Sequence, residues 1–206
     1  CFSAYYKIMF RKMSLSGWVL AIFVIGVAIK MYLESDAFNL KCIVSNVDGN
    51  KYCVRERSKL QLAADLLAET TQKLKKLVAY LGKTYPNRAN CKRLVENFNP
   101  TTVKEILPTS EFTAYSENKG EKLAFCTTTT KKGDKLIDPN TLMFVALHEL
   151  AHIATKSIGH TKEFWDNFKF ILQNAVKIKI YNPVDYKKEN QNYCGMKITD
   201  NPLYDL

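Results

Sequence analysis

Histidine is scarce in this chain: 206 residues hold three, and all of them fall between His148 and His160. Six cysteines are present, five of them beyond residue 40, yet none forms a CxxC pair, which excludes the usual structural zinc finger. No basic run is interleaved with aromatics. Of the net charge of +10, +8 comes from scattered residues beyond residue 40, 26 Lys and Arg against 18 Asp and Glu, with "KLKK" and "TKKGDK" as the densest clusters. That pattern reads as a solvated lysine-rich surface, and nucleic acid is not an expected partner. There is no internal repeat. The one candidate glycosylation sequon, at Asn99, is blocked by Pro100, which points away from maturation in a glycosylating lumen. The first residue is Cys1 rather than Met, so the expectation is a fragment or a processed product. Apolar content of 47 % is that of a folded body and excludes a disordered chain.

A single long hydrophobic run stands out. "LSGWVLAIFVIGVAI" (Leu15 to Ile29) carries no charge, and "KMYL" extends it to Leu33, with Lys30 able to snorkel. About nineteen residues at 1.5 Å each just cross a hydrocarbon core of ~30 Å. Trp18 and Tyr32 fall near the two ends, where aromatic belts lie. "GVAIKMYLESD" has no small-x-small site for signal cleavage, so the run reads as a single-pass signal anchor. The expected organisation is a basic tail over 1–13, an anchor over 14–33, a juxtamembrane hairpin and linker over 34–57, and a domain over 58–206. Lys7, Arg11 and Lys12 precede the run, and Glu34 and Asp36 follow it. The positive-inside rule then puts the N-terminus in the cytosol and the body across the membrane. Cys42 and Cys53 flank an alternating stretch with an Asp48-Gly49 turn signal, so a hairpin would bring them together and permit a disulfide. An odd number of body cysteines leaves at least one thiol unpaired in a monomer.

The body reads as α+β. "SKLQLAADLLAETTQKLKKLVAYLG" predicts a long helix from a Ser58 cap to a Gly82 stop, with Leu60, Ala63, Leu67, Leu74, Leu77 and Leu81 on one face. "CKRLVENF" predicts a short helix. "EFTAYS", "ENKGEK" and "LAFCTTTT" predict strand, turn and strand. Asp138-Pro139 or Asn140 caps a helix running to about Thr155. A further helix over "HTKEFWDNFKFILQNAVKI" is expected to bury Trp165, Phe168, Ile171, Leu172 and Ala175. The tail from Tyr181 is expected to be irregular.

The chemistry concentrates in "HELAHIATKSIGH". His148 and His152 are i and i+4 on the predicted helix, so both imidazoles leave one face, the geometry for two ligands to one zinc ion. Glu149 completes an H-E-x-x-H pattern as the candidate general base for a water at the open coordination position. A hydrolytic zinc needs a third protein ligand. The helix is expected to end near Ser157 or Ile158, and Gly159 permits a reversal that returns His160 as that ligand. Glu163 and Asp166 on the following helix are the rivals.

The segment "HELAHIATKSIGHTKEFW" resembles the active-site segment of WLM-domain zinc metallopeptidases, and more loosely that of SprT-like proteases. These share a HELxH helix and a third His followed by an aromatic pair, here Phe164-Trp165. The resemblance spans roughly residues 110–175. It implies zinc held by His148, His152 and His160, Glu149 as base, and a minimal zincin-like fold with a small sheet packed on the active helix. The WLM pattern is expected to have a shorter gap before its third His, so the seven residues Ile153 to Gly159 are a lengthened loop. The anchor together with the motif also looks like metallopeptidases carried by large DNA viruses. The resemblance further implies an edge strand antiparallel to a protein or peptide substrate, for which Leu123, Ala124, Phe125 and Cys126 are the candidates. An oxyanion donor is also needed, and Tyr186 and Tyr193 are open candidates. The expected function is a membrane-anchored zinc endopeptidase. The alternatives are an inactive zinc-stabilised viral interaction module and a protease of DNA-bound proteins, against which an exported body argues. The oligomeric state is left open.

Overall fold

Apolar side chains all round a helix leave no polar stripe to face water, and the run from Leu15 forms one such helix, α1 (Leu15–Glu34). The computed structural model describes residues 14–34 and 39–205. The basic tail 1–13 with Lys7, Arg11 and Lys12, and Asp36 of the second flank, lie outside the described residues. Leu15–Leu33, nineteen residues of mean hydropathy 1.9, is long and apolar enough to cross a membrane. A signal sequence has the same length and composition.

The body is a second unit, Leu40–Leu206. Its first strands, β1 (Leu40–Val44) and β2 (Lys51–Arg55), pair antiparallel about Asp48-Gly49. Gly49 takes φ +70°, which the tight turn requires, and the Asp48 carboxylate accepts from Asn50 N at 3.0 Å and Tyr52 Oη at 2.8 Å. Cys42 and Cys53 are directly opposed and form a disulfide. Residues 34–57 were expected to be hairpin and linker. The hairpin is present, but it belongs to the body's sheet, because Tyr52 and Val54 are buried in the core.

Helix α2 (Leu60–Thr84) buries the expected leucine stripe. Its ends differ from expectation. Ser58 is not the cap, and Gly82 is not a stop. A Cβ at Gly82 would lie 2.6 Å from Val95 Cγ2, so this glycine allows close approach of α3 (Ala89–Asn97). Three strands follow: β3 (Thr102–Glu105), β4 (Ala114–Glu117) and β5 (Lys122–Phe125). They complete a mixed five-stranded sheet in the order β1-β2-β3-β5-β4, with β3 parallel to both β2 and β5, and β4 antiparallel to β5. Glu105 is fully buried, and its carboxylate accepts from Arg55 Nε at 2.8 Å and Arg57 Nη2 at 2.7 Å.

Helices α4 (Pro139–Ala154) and α5 (Lys162–Lys177) pack on each other and on α2, and α4 also packs on β4 of the sheet. Trp165, expected in the core, is 42 % exposed; Phe164 is buried in its place. The tail also departs from expectation. It forms a hairpin of β6 (Gln191–Tyr193) and β7 (Met196–Ile198), ties to the sheet through a Cys126–Cys194 disulfide, and buries Tyr181, Tyr186 and Tyr193. Its tyrosine and cysteine content, read as irregular, is core material. Cys91 is free and buried.

Candidate metal centre

Helix α4 starts where the sequence says. The Asp138 carboxylate accepts from Thr141 N at 2.9 Å, and Pro139 sits in the first turn, where its missing N–H costs nothing. Two turns and more into the helix, His148 and His152 project from one face. The helix ends at Ala154, in line with the expected run to about Thr155 and short of the alternative end near Ser157 or Ile158. Thr155 turns extended at ψ 137°, its Oγ1 donates to Ala151 O at 2.7 Å, and Arg93 Nε donates to Ala154 O at 2.6 Å. The loop then reverses at Gly159, φ +82°, a backbone conformation that L side chains rarely adopt. Thr161 caps α5 and the chain returns His160 over α4.

His148 Nε2 lies 3.2 Å from His152 Nε2 and 3.0 Å from His160 Nε2. One ligand atom from each ring lies within 4.8 Å of the others. Hydrogen bonds alone cannot satisfy this arrangement, since a neutral Nε2 has one lone pair or one hydrogen and His148 Nε2 faces two rings. A tetrahedral ion with bonds of ~2.0–2.1 Å would set nitrogens about 3.3 Å apart, so the donor set fits one small ion with a position to spare. Phe164 is the floor beneath the rings, its centroid 4.4 Å from His152, 4.7 Å from His160 and 4.9 Å from His148. Burial, and then the neighbouring imidazoles, push His148 down to about 3; burial and His160 push His152 down to about 4. Both are therefore neutral at physiological pH, the form that binds a metal.

Glu149 is buried beside this cluster, and its carboxylate has no hydrogen-bond or ion-pair partner among the described residues. Burial raises it to about 7. The rival ligands are placed otherwise. Asp166 pairs with Lys162 at 2.7 Å on the exposed side of α5. Glu163 is engaged by the loop before His160 and by Arg93.

A cleft of about 860 Å³ opens over the cluster, lined by His148, Glu149, His152 and His160. Phe112, Ile158, Trp165 and Met196 rim it and are 42–98 % exposed. One wall is β4 and another is the β6–β7 hairpin. The expected substrate strand, Leu123 to Cys126, is not an edge. Leu123, Ala124 and Phe125 lie in β5 between β3 and β4, all four residues are buried, and the backbone of β5 is paired on both sides. The edge strand at the cleft is β4. Cys126 N donates to Thr113 O, so Thr113 and Cys126 are a bonded pair, and the alternation along an antiparallel ladder turns the N–H and C=O of Ala114 and Ser116 outward. Nothing in the sequence orders the strands of a sheet, so the edge could not be read from it. The tyrosine candidates also fail. Tyr193 Oη donates to Thr113 O at 2.9 Å and accepts from Cys126 N at 3.1 Å, which commits its one proton. Tyr186 is buried against Phe144, away from the cleft.

Three imidazoles converging beside a buried carboxylate, at the base of an open cleft, make a candidate metal centre. No family model matches the chain. In sequence it is similar to viral proteins: the uncharacterized protein R325 of Acanthamoeba polyphaga mimivirus, 29 % identical over 165 residues, which are 78 % of this chain and 83 % of that protein; and the uncharacterized proteins 042R of invertebrate iridescent virus 3 and 136R of invertebrate iridescent virus 6, 37 % and 35 % identical over 83 and 82 residues. The chain spans 50 % and 44 % of the length of those last two. In structure it is similar to Wss1 from Saccharomyces cerevisiae, with TM-score 0.46 and 20 % identity over 62 % of this chain and 88 % of that one. Wss1 from S. pombe gives TM-score 0.40 and 17 % identity over 59 % and 91 %.

Proposed function

We propose that this chain is a zinc-dependent endopeptidase of the H-E-x-x-H type, held at a membrane by α1. The observation that carries the reading is the convergence of the His148, His152 and His160 Nε2 atoms beside the buried, unpartnered Glu149. His148, His152 and His160 would hold the ion. A zinc ion so bound supplies Lewis acidity and lowers the pKa of water in the position left open.

The chain's own residues do the rest. Glu149, buried and unpartnered, takes a proton from the water that attacks the peptide carbonyl, holds it on its carboxylate, and gives it to the departing amine as the C–N bond breaks. The outward N–H and C=O groups of Ala114 and Ser116 pair with an extended polypeptide, fixing its backbone along the cleft. The apolar rim of Phe112, Ile158, Trp165 and Met196 favours large apolar side chains in that polypeptide and sheds water from the site. The body stands on the oxidising side of the membrane. Two disulfides among its five cysteines support that side and weigh against DNA-bound substrates.

Glu149→Gln is the test. It keeps shape and removes the proton acceptor, so peptide hydrolysis should fall by about 10²–10⁴ with zinc content and thermal stability unchanged. Full hydrolytic activity in the variant sinks the mechanism. If the intact protein binds zinc but neither form cleaves any peptide, the zinc-stabilised interaction module becomes the better reading.

A further inference from the structure

The loop that delivers His160 has almost no packing of its own. Lys156, Ile158, Gly159 and His160 are exposed, Ile158 at 98 %, and a Cβ on Gly159 would touch nothing within 4 Å. Beyond the contacts of the His160 ring with Phe164 and Trp165, what fixes the loop is polar. Glu163 Oε1 accepts from Lys156 N at 3.2 Å, and Oε2 accepts from Ser157 N at 3.3 Å and Ser157 Oγ at 3.1 Å. The same carboxylate is held from behind by Arg93 Nη2 at 3.0 Å, on α3. Arg93 Nε in turn donates to Ala154 O, the end of α4. Two side chains thus tie together the end of the ligand helix, the loop and the first turn of α5. Four donors occupy the two oxygens of Glu163, so it has little capacity left to serve as a ligand.

We propose that Arg93 and Glu163 are positioning residues for the metal centre: a clamp that holds the lengthened loop so that His160 meets the two helix-borne histidines already in place. This rests on the zinc reading above. His148 and His152 are positioned by backbone hydrogen bonds of α4 and need no help. His160 sits on a loop whose freedom would otherwise be lost at the moment of binding, which would weaken the site. Partners that orient a ligand from outside the coordination sphere typically contribute 10–100-fold in metal affinity.

The test is a double-mutant cycle on the full chain in detergent, read by zinc affinity against a chelating dye and by the visible spectrum of the Co2+ form. Glu163→Ala should weaken zinc about 10-fold and shift the Co2+ bands. Arg93→Ala should act in the same direction, and Glu163→Gln, which keeps an acceptor oxygen, should recover part of the loss. In a His160→Ala background Glu163→Ala should add less than a twofold loss, because the clamp acts only through His160. A Glu163→Ala affinity equal to wild type overturns the clamp. So does an equal loss with and without His160, which is what mere stabilisation of the fold would give. Tight zinc in His160→Ala together with its loss in Glu163→Ala overturns it too, since Glu163 would then be the ligand. Absence of zinc binding by the wild-type chain removes the metal reading itself, which sets that failure apart from the others.

Discussion

Two glutamates are buried in the body, and their partners give them opposite roles. Glu105 is sealed in by Arg55 and Arg57, with Thr127 Oγ1 at 2.8 Å as well; a buried carboxylate so paired fixes structure. Glu149 has no such partner, and its raised proton affinity suits it to proton exchange near neutrality. Tyr193 belongs with Glu105. Its hydroxyl bridges Cys126 N and Thr113 O, locking the C-terminal hairpin to the end of β5 and the approach to β4. Tyr193→Phe removes this bridge while Cys126 N and Thr113 O keep their bond to each other, so a loss of about 0.5–1.5 kcal/mol is expected in denaturant unfolding. The turnover rate of the folded variant should stay within a few-fold of wild type. A collapse of kcat with unchanged stability would mean that the hydroxyl serves the reaction.

Among the elements, β4 carries the sharpest expectation. The N–H of Ser116 points to the open edge, so Ser116→Pro removes a donor offered to substrate and none used by the sheet. A rise in KM of about 10-fold is expected with little change in Tm. Tyr115→Pro is the control. Its N–H belongs to a bonded pair with Ala124, so it should lower Tm. Equal KM values for Ser116→Pro and wild type would show that substrate does not pair with this edge. The elements also differ in how far they were legible. Helix α4 is a local object: Asp138, Pro139 and the i, i+4 histidines act within a few residues of one another, and its start follows from them. Its end was read both as about Thr155 and as near Ser157 or Ile158; it falls at Ala154, whose carbonyl accepts from Arg93 Nε, 61 residues upstream. The position of Gly82 is misleading. Its role is set by Val95 on another helix, whereas a sequence window shows only a glycine near a helix end.

For the whole molecule, the apolar helix and the disulfides bear on which side of a membrane the body would stand. Helix α1 is long and apolar enough to cross a bilayer, and the body pairs Cys42 with Cys53 and Cys126 with Cys194, leaving Cys91 buried and free. If the body lies across the membrane from the cytosol, protease added to sealed microsomes should leave it intact. Of its five cysteines, only Cys91 should then react with a thiol probe after denaturation without reductant. A body that is digested, with all five thiols reactive, would put it in the cytosol and reopen DNA-bound substrates.

By itself the sequence determined the apolar helix, the α+β character, the pair of histidines on one helical face with Glu149 between them, and the glycine turn that returns His160. Each of these follows from periodicity or spacing within about a dozen residues, where backbone geometry alone fixes what meets what. Only the tertiary structure decided that β4 rather than β5 is the edge strand at the cleft. The same holds for the bond between Cys126 and Cys194, the commitment of Tyr193 to the backbone, and the hold of Arg93 and Glu163 on the loop. Strand order, cross-links and clamps join residues tens of positions apart, and burial on all sides selects among the many pairings that local preference leaves equal.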